Sequence, residues 1–262
     1  MDIDKPKIVA SIEARMGSSR FPGKMMADVN GKPALERVID RLKACKNLDG
    51  IILATTIDHK DDPLEKCALE CDIECHRGSE DDVLQRVVDA HKQIGSDIIV
   101  EVTGDCILLD IDVIDQGVTM FLENDCDILS NASKLSYPQG ADVQVFRTKD
   151  LNWVAENIDD EAVREHVSLY FYENPDKYRI IHLMAPPRLY APDQRTQLDY
   201  YEDLDFITRV YEELEPIYGA TDFGAREILE LLRQKPEIRE INAHCTNKPV
   251  RINIDEAEKE AS

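Results

Sequence analysis

Arg15, Arg20 and Lys24 stand within one short stretch, Ala14-Arg-Met-Gly-Ser-Ser-Arg-Phe-Pro-Gly-Lys24. No Asp or Glu falls between Arg15 and Ala27, although the whole chain carries 53 acids against 31 bases. Gly17 and Ser18 permit a turn whose backbone amides converge on an anion. Lys24, directly behind Pro22-Gly23, is held at one point, which suits it to neutralising a phosphate. A cationic loop in so acidic a protein points to a polyphosphate guest. It is not a Walker loop, which needs another Gly-Lys spacing and a following Ser or Thr. Nor are Gly17 and Gly23 close enough for a dinucleotide fingerprint.

Carboxylates come next. Asp105 ends the run Thr103-Gly104-Asp105 after an apolar stretch, where it stands at a sheet edge. Magnesium suits that place, because Mg²⁺ takes one or two carboxylates together with phosphates and water. Asp199 is a second metal candidate, or else a helix N-cap. Asp142 and Gln144 alternate along a strand pattern and share one face, which either binds a polyhydroxylated ligand or is solvated. His166, Arg188 and Arg195 suit an acidic substrate, whereas His91 reads as structural. Cys67, Cys71 and Cys75 mimic a metal-ligand series, but a boundary near residue 72 divides them between a helix and a strand. The seven cysteines read as reduced thiols of a cytosolic interior.

These residues need a scaffold, and the first half of the chain supplies alternating strand-like and helix-like segments. Ile8-Val9-Ala10 precedes the cationic loop. Leu35, Val38, Ile39 and Leu42 repeat at helical spacing, and 51–55 reads as a strand. A helix from Asp61, a strand over 72–76 and a helix capped by Ser79 follow, then a strand over 98–102. Such alternation predicts an α/β fold with parallel βαβ units wound on both faces of a sheet. Ligands then sit beyond the carboxyl ends of the strands, where Arg15, Thr55, Arg77 and Asp105 are expected to converge. The second half is less regular. Strands are expected at 127–129, 142–146 and 178–183, with helices over 161–172 (carrying His166), 203–214 and 225–232. Residues 256–262 are polar and expected to fray.

At 262 residues the chain fits one domain, with about 7–130 as the nucleotide-binding part. Residues of about 131–250 are then the substrate-facing part. The net charge of −22 argues against nucleic acid as a partner. No apolar run approaches the roughly 20 residues of a membrane span, and residues 1–7 lack a signal-peptide pattern. The expected compartment is the cytoplasm.

The stretch Ala14–Lys24 resembles the first motif of the cytidylyltransferases that activate acidic sugars. It is most similar to the branch of the spore-coat polysaccharide biosynthesis protein SpsF. Arg77-Gly-Ser-Glu-Asp-Asp-Val83, Thr103–Cys106, Gly140–Phe146, Arg164–Val167, Leu198-Asp199 and Glu202–Leu204 are similar in order and spacing, over roughly residues 7–215. The resemblance implies a Rossmann-like, three-layer nucleotidyltransferase fold of the nucleotide-diphospho-sugar transferase type. It also implies Mg²⁺ dependence, with Arg15, Arg20 and Lys24 on the triphosphate and Thr55 and Arg77 near the nucleoside. Asp105 and Asp199 would bind the metal, and family habit implies a homodimer. Glu13 stands where glutamine is expected, Ile107 replaces a usual proline, and Gln197 and Tyr200 replace common threonines. CTP and an acidic sugar or phosphorylated acceptor are the favoured substrates. Another triphosphate such as GTP, a metal-dependent glycosyltransferase and a nucleotide-sensing subunit are the rival readings.

Overall fold

The structure, a computed structural model, describes residues 5–247, so the expected fraying of 256–262 lies outside the described residues. The chain opens with β1 (Ile8–Glu13), passes the cationic loop and a hairpin of β2 (Asp28–Val29) and β3 (Lys32–Pro33), and enters α1 (Ala34–Ala44). β4 (Gly50–Thr56), α2 (Asp62–Glu70), β5 (Glu74–Gly78), α3 (Val83–Ile94) and β6 (Ile98–Thr103) continue the alternation. The second half runs α4 (Ile111–Glu123), β7 (Ile128–Ser130), β8 (Gln144–Arg147), α5 (Thr148–Asn157), α6 (Glu161–Glu165), α7 (Leu169–Glu173) and β9 (Ile180–His182). Three helices close it: α8 (Tyr201–Tyr218), α9 (Ala225–Gln234) and α10 (Pro236–Glu240).

Seven strands form one sheet in the order β5-β4-β1-β6-β8-β7-β9. All its pairings are parallel except those of β8. β1 is buried on both faces: Ile8, Ala10 and Ile12 join one core, while Val9 joins the other. The first core takes Leu35, Val38, Ile39 and Leu42 of α1, the helical repeat legible in the sequence. The second takes Val83, Leu84, Val87 and Val88 of α3. Helices on both faces of a mostly parallel sheet give the three-layer α/β architecture that was expected.

The C-terminal helices dock through a buried arginine. Arg41 of α1 is fully buried and donates to the Tyr211 hydroxyl at 3.0 Å and to the carbonyls of Leu109 and Phe223 at 2.9 and 2.8 Å. Carbonyl and hydroxyl acceptors meet its Nε and Nη1, offsetting part of the cost of burying the charge, while Nη2 has no acceptor. This clamp fixes α8, and so the segment before it, against the N-terminal half of the sheet.

Several local expectations need correction. The strand expected at 72–76 runs instead over Glu74–Gly78, which places Arg77 inside β5 rather than after it. Thr55 likewise lies within β4. Asp82, not Ser79, caps α3, its carboxylate accepting from the Gln85 amide at 2.9 Å. The helix expected over 161–172 is two short helices, with His166 in the break. Asp199 is not the N-cap of α8; Tyr200 holds that position.

Candidate active site

The strand order reverses between β1 and β6, the kind of switch point where open α/β sheets bind ligands. A cleft of about 620 Å³ opens there, lined by the cationic loop, the end of β6 and residues Glu165, His166, Gln197, Asp199 and Asn247. Ala14, Arg15, Gly17, Ser18, Arg20, Lys24 and Asp105 all border it.

The loop is built to stay closed. Gly23 adopts φ +77°, a left-handed turn that favours glycine, and its amide donates to the Met16 carbonyl at 3.0 Å. The Met16 amide donates to buried Asp61 at 2.7 Å, which ties the loop to the start of α2. Phe21 is buried and packs on Tyr201, ring centroids 4.2 Å apart. Behind the cleft, Gly104 donates its amide to the Glu13 carbonyl at 2.8 Å. A Cβ at that position would lie 2.8 Å from the same oxygen, so only glycine lets β6 end this close to β1.

Each cation of the loop meets carboxylates from distant segments. Arg15 lies 3.5 Å from Glu80 and 3.4 Å from Glu165. Arg20 pairs with Asp199 at 2.7 Å and lies over the Tyr200 ring. Lys24 Nζ donates to Asp105 at 3.0 Å, to Asp199 at 2.9 Å and to the Leu198 carbonyl at 2.9 Å. Burial alone would lower the Lys24 pKa, but Asp105 and Asp199 outweigh it and hold the ammonium above its usual value. Burial would likewise raise Asp105; Lys24 and Thr103 reverse that and keep it ionised.

Asp105 and Asp199 therefore place oxygens within 3.0 Å of one cationic centre. Two carboxylates facing one point are the donor chemistry Mg²⁺ prefers, so Asp105 and Asp199 are the residues that could hold such an ion. The other oxygen of Asp199 accepts from Arg195 at 3.0 Å, and Arg195 forks onto buried Asp203 at 2.8 and 2.9 Å. Asp203 also accepts from the backbone amides of Asp199 and Tyr200. A network of buried groups thus aims Asp199 at the cleft.

Other candidates from the sequence lie elsewhere. Arg77 is turned outward, bound to Asp62 and Glu65 and to the carbonyls of Thr56 and Asp58. Thr55 is fully buried in β4. Neither borders the cleft. Arg195 is 5% exposed, its charge committed to Asp199 and Asp203. Gln144 is buried and accepts hydrogen bonds from Ser168, at 2.6 Å, and Tyr172. It belongs to a polar row in register across the sheet, Ser11–Glu101–Gln144–Ser130–His182. Asp142 is half-buried; burial first, and then Asp105, push its carboxyl up to about 6.

Sequence reasoning missed Arg86, Glu165, Gln197 and Asn247 as cleft residues. Arg86 had a usable signal: it falls three residues after Val83 and four before Ala90, in an otherwise apolar stripe of α3, and it is 3% exposed. Asn247 had none, because its position depends on the return of the chain after α10. There its Nδ2 donates to Gln139 at 2.9 Å, and its Oδ1 accepts from Arg195.

A cationic turn after the first strand, facing two carboxylates at a switch point, defines a nucleotide-handling α/β protein. The chain belongs to the cytidylyltransferase family, whose model matches residues 9–243. It is 33% identical over 245 residues to the protein MJ1063 of Methanocaldococcus jannaschii, covering 94% of this chain and 98% of that one. It is 29% identical over 236 residues to the spore coat polysaccharide biosynthesis protein SpsF of Bacillus subtilis, covering 88% and 95%. Among solved structures, a cytidylyltransferase from Leptospira borgpetersenii superposes with a TM-score of 0.85 at 28% identity, over 94% of this chain and 100% of that one. No helix among the described residues is long and apolar enough to cross a membrane.

Proposed function

We propose that the protein transfers CMP from CTP to an acidic sugar or related acceptor and releases pyrophosphate, as a step in surface-glycan synthesis. The observation that carries this reading is the meeting of Lys24 with Asp105 and Asp199 at the head of the cationic loop. An acceptor oxygen attacks the α-phosphorus, the bond to the β-phosphate oxygen breaks, and pyrophosphate leaves with the electron pair. Arg15, Arg20 and Lys24 hold the triphosphate and neutralise charge growing on the leaving group, which is how positioned cations accelerate such displacements. When bound, Mg²⁺ would be held by Asp105 and Asp199 and would polarise the phosphate oxygens. Lys24, placed between the two aspartates, would then contribute its charge to the phosphates.

Ala14, Gly17 and Ser18 shape the nucleotide side, and His166 faces the acceptor side, with Asp142 behind Asp105. Arg77 braces the turn after β4, Gln144 ties β8 to Ser168 and Tyr172, Arg195 holds Asp199 and Thr55 packs inside β4, so these four serve indirectly. The proposed setting is a homodimer in the cytoplasm. Sugar-related kinship supports the acceptor class: the similar SpsF protein is named for polysaccharide biosynthesis.

The test is pyrophosphate release with each of the four ribonucleoside triphosphates and Mg²⁺, against a panel of acidic sugars. Release with CTP alone, dependent on one sugar, is the expected result. Release with GTP instead would change the nucleotide, and transfer of sugar without pyrophosphate would point to a glycosyltransferase. No release with any triphosphate would favour nucleotide sensing.

A further inference from the structure

Beside the cleft, three side chains of metal-ligating type meet where the C-terminal segment crosses the start of α8. Glu202 lies in the first turn of α8, and His244 and Cys245 follow α10. One ligand atom from each lies within 4.8 Å of the other two, and His244 Nε2 is 3.5 Å from Glu202 Oε1. Zinc bonds of about 2.0–2.3 Å at tetrahedral angles separate neighbouring ligand atoms by about 3.3–3.8 Å. The carboxylate–imidazole pair already spans such an edge, and the sulfur needs at most about 1 Å of side-chain movement to reach the third corner.

The backbone that bears these groups is held on both sides. Asn242 is 1% exposed and donates to Asp203 at 2.8 Å, and the Cys245 amide donates to the Asn242 carbonyl at 3.0 Å. The Thr246 carbonyl accepts from Tyr200 at 3.1 Å and from Arg20 at 3.5 Å. Asn247 is anchored to Gln139 at 2.9 Å. Ligands on restrained backbone bind a metal with little further ordering cost, unlike three groups meeting by chance on mobile chain. A thiolate, an imidazole and a carboxylate together select a borderline-soft ion over Mg²⁺.

We propose that Glu202, His244 and Cys245 form a Zn²⁺ site, with water in the fourth position. The ion straps the C-terminal segment to the start of α8 and so fixes the cleft wall carrying Asn247, next to Arg20. Binding is ligand exchange without redox change: the Cys245 thiol gives its proton to solvent, the thiolate donates a pair to the metal, and bound waters leave. The site stands whether or not the reading of the reaction holds.

The experiment is titration of the metal-free full chain with Zn²⁺, without nucleotide and in millimolar Mg²⁺, repeated with Co²⁺ to reveal thiolate ligation by its charge-transfer absorption. One equivalent is expected to bind and to raise Tm. Cys245→Ser and His244→Gln are each expected to weaken binding by more than the roughly 10–100-fold typical of losing an outer-shell partner. Cys245→Ser should also abolish the cobalt band, while Cys71→Ser leaves it intact. Metal-free melts of the variants that match wild type show that the fold is unaffected. Absence of tight binding in Mg²⁺, unchanged affinity in Cys245→Ser, or a cobalt band that disappears with Cys71→Ser instead would each overturn the proposal.

Discussion

Lys24 and Asp105, 81 positions apart in the chain, form a largely buried ion pair of 3.0 Å at the head of the cleft. Each holds the other in its charged form against the cost of burial. A preorganised charge aimed at a developing one is the strongest single contribution that such a site offers. Lys24→Ala is therefore expected to lower kcat/KM by about 10²–10³. Asp105→Asn should lose turnover to a similar degree and shift its dependence on Mg²⁺ to higher concentration. Steady-state pyrophosphate release across a Mg²⁺ series checks both, and full metal-dependent turnover in Asp105→Asn would remove that residue from the metal site.

Arg77 supplies a contrasting case. Its guanidinium braces the turn between β4 and α2 through Asp62, Glu65 and two carbonyls. Paired charges this exposed contribute about 0–1 kcal/mol each, and a hydrogen bond to a carbonyl about 1 kcal/mol. Arg77→Ala should therefore lower stability by about 2–4 kcal/mol and leave kcat/KM within a few-fold of wild type. Urea melts and steady-state kinetics on one preparation test both halves. A selective rise in the KM for the triphosphate would return Arg77 to the nucleoside.

The contrast shows what the sequence could and could not carry. Residue periodicity exposed the βαβ alternation, both apolar helix faces and the loop after the first strand, because those depend on neighbours in the chain. Thr55 and Arg77 were placed beyond the strand ends, but β4 and β5 run on to Thr56 and Gly78, so both lie inside strands, where Thr55 is buried and Arg77 is held by Asp62, Glu65 and two carbonyls. The counter-charges of the loop, Glu80, Asp105, Glu165 and Asp199, come from separate segments, and their meeting depends on tertiary packing. Arg195 looked like a free cation for an acidic substrate because no helical or strand spacing reveals that the turn before α8 folds Asp199 and Asp203, only four and eight residues on, back onto it.

Arg195 accordingly has a structural test. Arg195→Ala leaves Asp199 and the fully buried Asp203 without their fork, and breaking a buried pair by removing one partner costs about 3–5 kcal/mol. A large fall in the denaturation midpoint is expected. Arg195→Lys should recover only part of it, because an ammonium cannot reproduce the two-pronged geometry. A variant as stable as wild type would show that the charge is not needed to hold this network.

Gly104 tests how closely the site depends on backbone approach. A methyl group there meets the Glu13 carbonyl at 2.8 Å and the Ala14 and Met25 side chains at 3.0 and 3.1 Å. Gly104→Ala must push β6 away from β1, and overpacking of this kind costs about 1–3 kcal/mol. Asp105 is the next residue, so the shift is transmitted directly to the ion pair with Lys24. We expect the loss in kcat/KM to exceed what the loss of stability alone would give, measured at a temperature where the variant is fully folded.

Glu101 makes stability depend on pH in an unusual direction. It is 5% exposed within the polar row, facing Gln144 and Ser168, with Glu13 and Asp142 close enough to repel its charge. Burial, reinforced by Asp142, lifts its pKa well above the carboxylate range, and Glu13 is lifted in the same way by burial and by Glu101. A folded-state pKa above the unfolded one means that the native state holds the extra proton. The contribution to stability is then full below the unfolded value and declines as pH rises past it. Each such group gives a slope of at most about 1.4 kcal/mol per pH unit. The wild type is therefore expected to lose stability between about pH 5 and about pH 8, and Glu101→Gln, which keeps the shape and stays neutral, should flatten much of that decline. Denaturant melts of both proteins across this window decide the matter, and parallel curves would show that Glu101 is ionised in the fold or that another group sets the slope.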